Sequence, residues 1–353
     1  MGERVIKHIE SFSAGKKQGH NDDNFYIGKD FVAVIDGVSN RSSVEVDGKQ
    51  IKIAQIITEA IRKMDRPGAP VYAKTLSFEE CVKFINLYIK DYLEKYGLND
   101  QVGKMEATGV FYSRFHNQIW LVGDCKAIYD GKVAQNPLRI DEVVVDIRLK
   151  LVETLLSVGY SEEDLMEDDI SLKIIKEPSS LTDYISNPEL VAEIEAFRTE
   201  KIKQALRECG FSEDEIEAEG LIQKYYNPRD LQQVLKNNPD MGPMGYAVFN
   251  GIYTETRNCK VVNLPRDVKE IRMFSDGFPV DALNNNKDLG YAVRKIRRRA
   301  KHDKLSIRGN RAVHNSVRYS RMKNRKVEYA IDDASAVVIR IEGNERNQRD
   351  KGR

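Results

Sequence analysis

Aspartates at the ends of apolar runs are the feature that most restricts how this chain can fold. Three runs rich in Val, Ile, Leu and Phe each lead into an acid, which is Asp36, Asp124 or Asp276. Short continuous apolar runs of this kind indicate buried strands. One aspartate after a strand usually marks only a turn. Three such strands in one chain predict a sheet architecture in which carboxylates gather at one end.

Two further acidic motifs complete the pattern. Asn21-Asp22-Asp23 precedes the first run, and Asp332-Asp333 opens the apolar run ASAVVIRI. Carboxylates brought close together repel one another, which raises their pKa values unless cations neutralise them. Oxygen ligands without His or Cys suit hard ions, namely Mn²⁺ or Mg²⁺. The pattern therefore predicts a divalent metal site built from carboxylates.

The periodicity of the chain changes twice. The first 140 residues predict an α/β region, with strands at residues 31–35, 109–115, 118–122 and 127–129 and helices at 51–64 and from Ser77 onward. Residues 141–239 predict almost continuous helix. Strands resume at residues 246–249, 270–274 and 336–341. We therefore expect a core formed by residues 1–140 and 240–345, a helical insertion at 141–239 that shapes substrate access without supplying a metal ligand, and a disordered tail at 346–353.

The insertion contains a short internal repeat, at residues 159–165 and 210–216. Each copy has a glycine, an aromatic residue, a serine and an acid three residues after the serine. A glycine that closes one helix and a serine that caps the next would produce this pattern. The repeat therefore predicts helix boundaries and carries no chemistry.

Six motifs in order resemble those of the metal-dependent serine/threonine phosphatases, the PPM or type 2C family. They are NDD (21–23), VIDGVSN (34–40), EATGVFYSRF (106–115), VGDCKAIYDG (122–131), MFSDGF (273–278) and DDAS (332–335). The resemblance covers residues 5–135 and 245–342. It implies an α/β fold of two packed, mostly antiparallel sheets flanked by helices, and hydrolysis of phosphoserine and phosphothreonine in proteins.

The resemblance also implies a role for each motif aspartate around two Mn²⁺ or Mg²⁺ ions, with a weaker third. The implied ligands are Asp36, which bridges the two ions; Gly37, which offers its carbonyl to one; Asp276 and Asp332, which complete the other; Asp22 and Asp23, which hold metal-bound water; and Asp124, which with Asp276 binds the weaker ion.

Several departures from the family pattern bear on activity. Family members often carry an arginine that clamps the phosphate, where this chain has Gln18. Lys17 or Arg41 is predicted to take that role, with Arg41 favoured because it keeps the planar guanidinium. Cys125 replaces the serine of the family's GDS motif. Because the core metal aspartates are kept, we favour an active enzyme, and the alternative is an impaired PPM fold that serves as a binding module.

Charge and apolar content limit the other function classes. Residues 294–326 hold 14 Lys and Arg, which admits a third hypothesis of nucleic-acid binding, but aromatic residues are too sparse there for base stacking. No apolar stretch is long enough to span a membrane. Four well-separated cysteines indicate reduced thiols and a cytoplasmic protein. The expected partner is a phosphorylated protein, and the sequence gives neither its identity nor the oligomeric state.

Overall fold

The computed structural model describes residues 5–14, 21–38, 42–46, 48–66, 76–136, 138–161, 164–165, 170–276 and 334–342. These residues form two compact units. The first unit contains the described residues within 5–136, together with 247–276 and 334–342, and it is built on β-sheets. The second unit contains residues 138–246 and is helical. Asp332, Lys17, Arg41, the basic segment 294–326 and the predicted tail lie outside the described residues.

The first unit contains two five-stranded antiparallel sheets. The first sheet has the order β1-β12-β11-β8-β9 and the second has the order β10-β7-β6-β3-β2, while β4 and β5 form a separate hairpin. The strands are β1 Val5–Ala14, β2 Asn24–Ile27, β3 Phe31–Gly37, β4 Ser43–Val46, β5 Lys49–Lys52, β6 Ala107–Ser113, β7 Gln118–Val122, β8 Lys126–Tyr129, β9 Lys132–Gln135, β10 Lys260–Asn263, β11 Glu270–Phe274 and β12 Ala334–Glu342.

Strand β3 shows why the two sheets pack as a sandwich. Val32 and Val34 point to one face, where they join a buried core shared with Met273 of the first sheet. Ala33 and Ile35 alternate to the opposite face, which is covered by helices. A strand buried on both faces reads as a continuous apolar run, which is the pattern seen in the sequence. The predicted fold class, two antiparallel sheets flanked by helices, is confirmed.

Two helices, α1 Ile53–Met64 and α2 Phe78–Lys95, cover the outer face of the second sheet. Trp120 on β7 packs against Phe78 of α2 with ring centroids 5.4 Å apart and is part of the buried core. Gly97 ends α2 with a φ of 72°, a left-handed conformation that favours glycine. The helix predicted from Ser77 onward begins with a capping box, because Ser77 accepts from the Glu80 N–H and Glu80 accepts from the Ser77 N–H.

Replacing Ser77 by alanine is expected to lower the free energy of unfolding by about 1 kcal/mol, since the Glu80 N–H loses its acceptor at the start of α2. Urea denaturation followed by circular dichroism would measure the loss. Ser77→Asp is the matched control, because aspartate is also a good cap and should retain nearly all of the stability. Equal stability of the alanine variant and the wild type would contradict this role for the cap.

The second unit is made of helices, as its periodicity predicts. They are α3 Arg139–Ser157, α4 Ile170–Lys176, α5 Leu181–Tyr184, α6 Pro188–Glu208, α7 Glu213–Ala218, α8 Leu221–Lys224 and α9 Pro228–Leu235. Short 3₁₀ turns of the chain lie at Asn99–Gln101, Pro178–Ser180, Gly242–Met244 and Thr256–Asn258. No helix in the described ranges is both long and apolar enough to cross a membrane.

The internal repeat of the helical unit has the predicted role. Gly159 and Gly210 have φ values of 104° and 98°, so each closes a helix in the left-handed conformation. Ser212 caps α7 and forms a full capping box with Glu215. Ser161 makes the same reciprocal contacts with Asp164. The repeat therefore marks helix boundaries in both copies.

The strand predicted at residues 246–249 is wrong. The structure has two isolated bridges there, Lys236 with Tyr246 and Ala107 with Phe249. The run crosses from the helical unit to the sheet unit between Tyr246 and Ala247. Each end therefore pairs within its own unit, and neither partner continues far enough to form a ladder.

Candidate active site

Asp36 lies at the end of β3, at one end of the sandwich. The register with β6 pairs Asp36 with Thr108 and Gly37 with Ala107. Gly37 is packed closely on its neighbours: a Cβ at this position would lie 2.6 Å from the backbone oxygen of Asp22 and 2.7 Å from the Cβ of Ser42. The absence of a side chain at Gly37 therefore allows the loop that carries Asp22 to lie against Asp36's strand.

Asp276 brings the first sheet to the same place. It follows β11, and its backbone N–H donates to Oδ2 of Asp36 at 3.2 Å. A backbone donor at this carboxylate restrains its rotation. Asp36 and Asp276 thus meet from opposite sheets, as the pattern of strand ends predicts.

Asp23 is held by the first sheet as well. Oγ of Ser275 donates to Oδ2 of Asp23 at 2.7 Å, and Ser275 accepts in turn from the backbone N–H of Ser335 at 2.9 Å. Asp23 is only 7% exposed and Ser275 is fully buried. The loop preceding β2 is therefore fixed to the ends of β11 and β12.

Asp124 is oriented by β6. Oγ1 of Thr108 donates to Oδ1 of Asp124 at 2.9 Å. Gly123 makes the turn between β7 and Asp124 with a φ of 78°, and a Cβ there would lie 2.2 Å from Cγ2 of Thr108. Since Thr108 also stands opposite Asp36 in the register, one threonine links the neighbourhoods of two aspartates.

Several of these carboxylates affect the pKa of the Cys125 thiol. Burial raises the pKa of this fully buried thiol well above its usual value, and the negative charges of Asp36, Asp124 and Asp23 raise it further. Three carboxylates from separate parts of the chain therefore act on one side chain. The thiolate is disfavoured, as expected beside an aspartate.

The structure brings six of the predicted ligands to one end of the sandwich: Asp22, Asp23, Asp36, Gly37, Asp124 and Asp276. Within the described ranges, no three acidic, histidine or cysteine side chains already form a cluster that could hold one ion. Asp332, the remaining predicted ligand, lies outside those ranges. The donors gathered here are carboxylate and carbonyl oxygens, and carboxylate oxygens of Asp22 and Asp23 are buried. This donor set fits a hard divalent cation.

Several contacts of the site could not be anticipated as pairs from the sequence. Thr108 lies in a recognised motif, but its bond to Asp124 depends on the β3–β6–β7 register. Ser13 and Ser335 meet because they are paired across β1 and β12. Nζ of Lys52 donates to the backbone oxygen of Asn21 at 2.8 Å and so places a cation beside the Asp22 loop. In the sequence, only its position just before α1 distinguishes Lys52 from other lysines.

No family model matches the chain. No curated protein matches it either. Solved structures do. The serine/threonine phosphatase PstP/Ppp of Mycobacterium tuberculosis is 14% identical with a TM-score of 0.42, covering 96% of this chain and 100% of that one. A catalytic domain of PstP in complex with 2 manganese ions is 14% identical with a TM-score of 0.38, covering 95% of this chain and 97% of that one.

A third solved structure is the PPM Ser-Thr phosphatase MsPP of Mycobacterium smegmatis in complex with cacodylate. It is 13% identical with a TM-score of 0.40, covering 95% of this chain and 98% of that one. Across most of its length, and at low sequence identity, the chain is similar to PPM-type serine/threonine phosphatases.

Proposed function

We propose that the protein is a metal-dependent phosphatase that hydrolyses phosphoserine and phosphothreonine in proteins with a water activated by two divalent cations. The observation that carries the proposal is the meeting of Asp36 and Asp276 from opposite sheets, with Asp276 N–H 3.2 Å from Oδ2 of Asp36. These are two of the motif aspartates whose order along the chain resembles the PPM family. The fold supports the proposal because it brings these two aspartates to one end of the sandwich.

In this proposal the two ions would be Mn²⁺ or Mg²⁺, and Asp124 with Asp276 would hold a weaker third ion. The residues that would hold the pair are Asp36, Gly37 through its carbonyl, Asp276 and Asp332, with Asp22 and Asp23 holding metal-bound water. When bound, such ions lower the pKa of a coordinated water and neutralise charge on the phosphoryl group.

The protein's own contribution is to hold its carboxylates in place before substrate binds. Asp36 is restrained by the Asp276 N–H, Asp23 by Ser275 and Asp124 by Thr108. Such hydrogen bonds to ligand carboxylates orient them and reduce the reorganisation required during reaction. Ser275 and Asp23 are buried, which strengthens these bonds relative to bonds exposed to water.

We also propose that residues 1–140 and 240–345 form the catalytic core and that the helical insertion at 141–239 supplies no metal ligand. The described carboxylates that converge all belong to the sheet unit. The protein would act in the cytoplasm on phosphorylated proteins. Cys81, Cys125, Cys209 and Cys259 are all free thiols, in keeping with that location.

The direct test is hydrolysis of p-nitrophenyl phosphate and of a phosphothreonine peptide, with and without Mn²⁺. The proposal expects turnover that requires the metal and is lost in excess chelator. A protein that binds Mn²⁺ without turnover would support the alternative of an impaired PPM fold used as a binding module. A protein that does neither, but binds nucleic acid with a steep dependence on salt, would support the third hypothesis.

Replacing Asp124 by asparagine is expected to reduce turnover less than Asp36→Asn does. Asp36 would be shared by both principal ions, whereas Asp124 would contact only the weaker third ion. The amide can still accept from Thr108, so the geometry should survive while one negative charge is lost. Steady-state kinetics over a Mn²⁺ titration would measure the change. A loss at saturating Mn²⁺ as large as that of Asp36→Asn would contradict the assignment of Asp124 to the weaker ion.

A further inference from the structure

We propose that Ser13, Ser275 and Ser335 are positioning residues for the carboxylate of Asp23. This inference rests on the proposed phosphatase function and adds to it three serines that lie on separate strands or beside them. They connect the loop of the NDD motif to the first sheet through a closed circuit of hydrogen bonds, which we term the serine ring.

The serine ring consists of five contacts. The Nδ2 group of Asn21 donates to Oγ of Ser13 at 2.6 Å, and the hydroxyls of Ser13 and Ser335 are 2.7 Å apart. The backbone N–H of Ser335 donates to Oγ of Ser275 at 2.9 Å, and that hydroxyl donates to Oδ2 of Asp23 at 2.7 Å. The backbone N–H of Asp23 donates to Oδ1 of Asn21 at 3.0 Å, which closes the circuit.

The donor and acceptor roles in the ring are consistent. An ionised carboxylate can only accept, so the Ser275 hydroxyl proton must point to Asp23, and its lone pairs face the Ser335 N–H. The Asn21 side chain uses its amide nitrogen toward Ser13 and its oxygen toward Asp23 N–H, so both ends of one side chain are engaged. Between Ser13 and Ser335 either hydroxyl can be the donor, so both directions are compatible with the other four contacts.

The strand register explains why these serines meet. Ser13 of β1 is paired with Ser335 of β12, and the Ser275 N–H donates to the Ser335 oxygen at 3.0 Å just beyond β11. The neighbours β1, β12 and β11 therefore bring Ser13, Ser335 and Ser275 to the same end of the first sheet. Asn21 and Asp23 lie in a segment without helix or strand, so the ring fixes that segment by side-chain contacts.

The location of the ring gives it a role in the site as well as in the fold. The torsion of an aspartate carboxylate about its last bond is broad, so a neighbouring donor decides how its oxygens point. Ser275 and Ser335 are fully buried, and a bond from a buried hydroxyl to a carboxylate is among the stronger kinds. Asp23 would hold metal-bound water, and outer contacts of this type around a metal site are worth about 10- to 100-fold in metal affinity or activity.

The test compares Mn²⁺ affinity by calorimetry, kcat/KM and thermal midpoint for wild type, Ser275→Ala, Ser13→Ala and Ser13→Thr. Ser113→Ala is the matched control, because Ser113 is a buried serine at the far end of β6 whose hydroxyl accepts from His116. Ser275→Ala is expected to lose about 10- to 100-fold in both affinity and kcat/KM. Ser13→Ala should lose less, and Ser13→Thr should recover most of that loss because it keeps a hydroxyl.

Ser13 is exposed on an edge strand, so its replacement keeps the test valid if Ser275→Ala does not fold. If the wild type is active and the serine variants match Ser113→Ala in Mn²⁺ affinity and kcat/KM, the proposed role of the ring is overturned. The proposed phosphatase function is then unaffected. A fall in thermal midpoint without a change in affinity would overturn the proposed role of the ring too, since it would show a purely structural one. A wild-type protein that neither binds Mn²⁺ nor hydrolyses phosphate esters would overturn the proposed function and the ring together.

Discussion

Replacing Asp36 by asparagine is expected to abolish Mn²⁺-dependent hydrolysis and to weaken Mn²⁺ binding, because one carboxylate serves both ions in the proposed site. The substitution preserves size, and the amide oxygen can still accept from the Asp276 N–H, so the loss reports charge and ligation rather than packing. A fall of about a thousandfold or more in kcat is expected, at or above the loss seen when one positioned group that stabilises charge is removed. Steady-state kinetics and calorimetric titration with Mn²⁺ would measure both effects.

The chain offers a matched control for Asp36. Asp130-Gly131 is also an aspartate-glycine pair after an apolar strand, but Asp130 accepts from the backbone N–H groups of Lys269 and Glu270 and forms an ordinary turn. Its φ of 45° is one that asparagine also tolerates. Asp130→Asn should therefore keep near-wild-type turnover. Near-wild-type turnover in Asp36→Asn at the same Mn²⁺ concentration would overturn the assignment of the site.

The second large effect concerns the cation that would clamp the phosphate. Arg41→Ala is expected to raise the activation barrier by about 2–4 kcal/mol at saturating Mn²⁺, since it removes a two-pronged donor to the phosphoryl oxygens. Lys17→Ala is the competing variant. Arg41 is favoured because the next residue, Ser42, is buried against Gly37, so the chain immediately after Arg41 lies beside Asp36.

The clamp experiment compares kcat/KM for the two variants with that of Lys49→Ala, an exposed lysine on β5 that serves as the control for loss of one positive charge. If neither Arg41→Ala nor Lys17→Ala changes kcat/KM by threefold, neither residue clamps the phosphate. Lys52, whose ammonium group lies 2.8 Å from the Asn21 oxygen, would then be the next residue to replace. Poor turnover of the wild type together with that result would favour the impaired binding module.

The elements of the fold that sequence predicted well are those with a strong local signal. Strands Gln118–Val122 and Glu270–Phe274 have the predicted bounds, because a run buried on both faces has few alternatives. The start of α2 was predicted at Ser77, where the capping box depends on contacts only three residues apart. The prediction of a strand at 246–249 was wrong because the apolar content of this segment reflects burial in two different units rather than pairing in one sheet.

The same distinction applies to the site. The convergence of Asp36 and Asp276 followed from where the strands end, and the structure supports it with a direct hydrogen bond. The serine ring did not follow, because Ser13 and Ser335 are 322 residues apart and meet only through the β1–β12 register. A residue's type and its local pattern can indicate a ligand, whereas the groups that orient the ligand depend on tertiary pairing.

The central claim is that this end of the sandwich binds two divalent cations through Asp36. The most direct measurement is anomalous diffraction at the manganese edge from crystals soaked in Mn²⁺. The account predicts two peaks about 3.5–4 Å apart, both in contact with the Asp36 carboxylate, with Asp276 at one of them. Diffraction that shows no manganese at Asp36, or manganese bound only elsewhere on the protein, would contradict it.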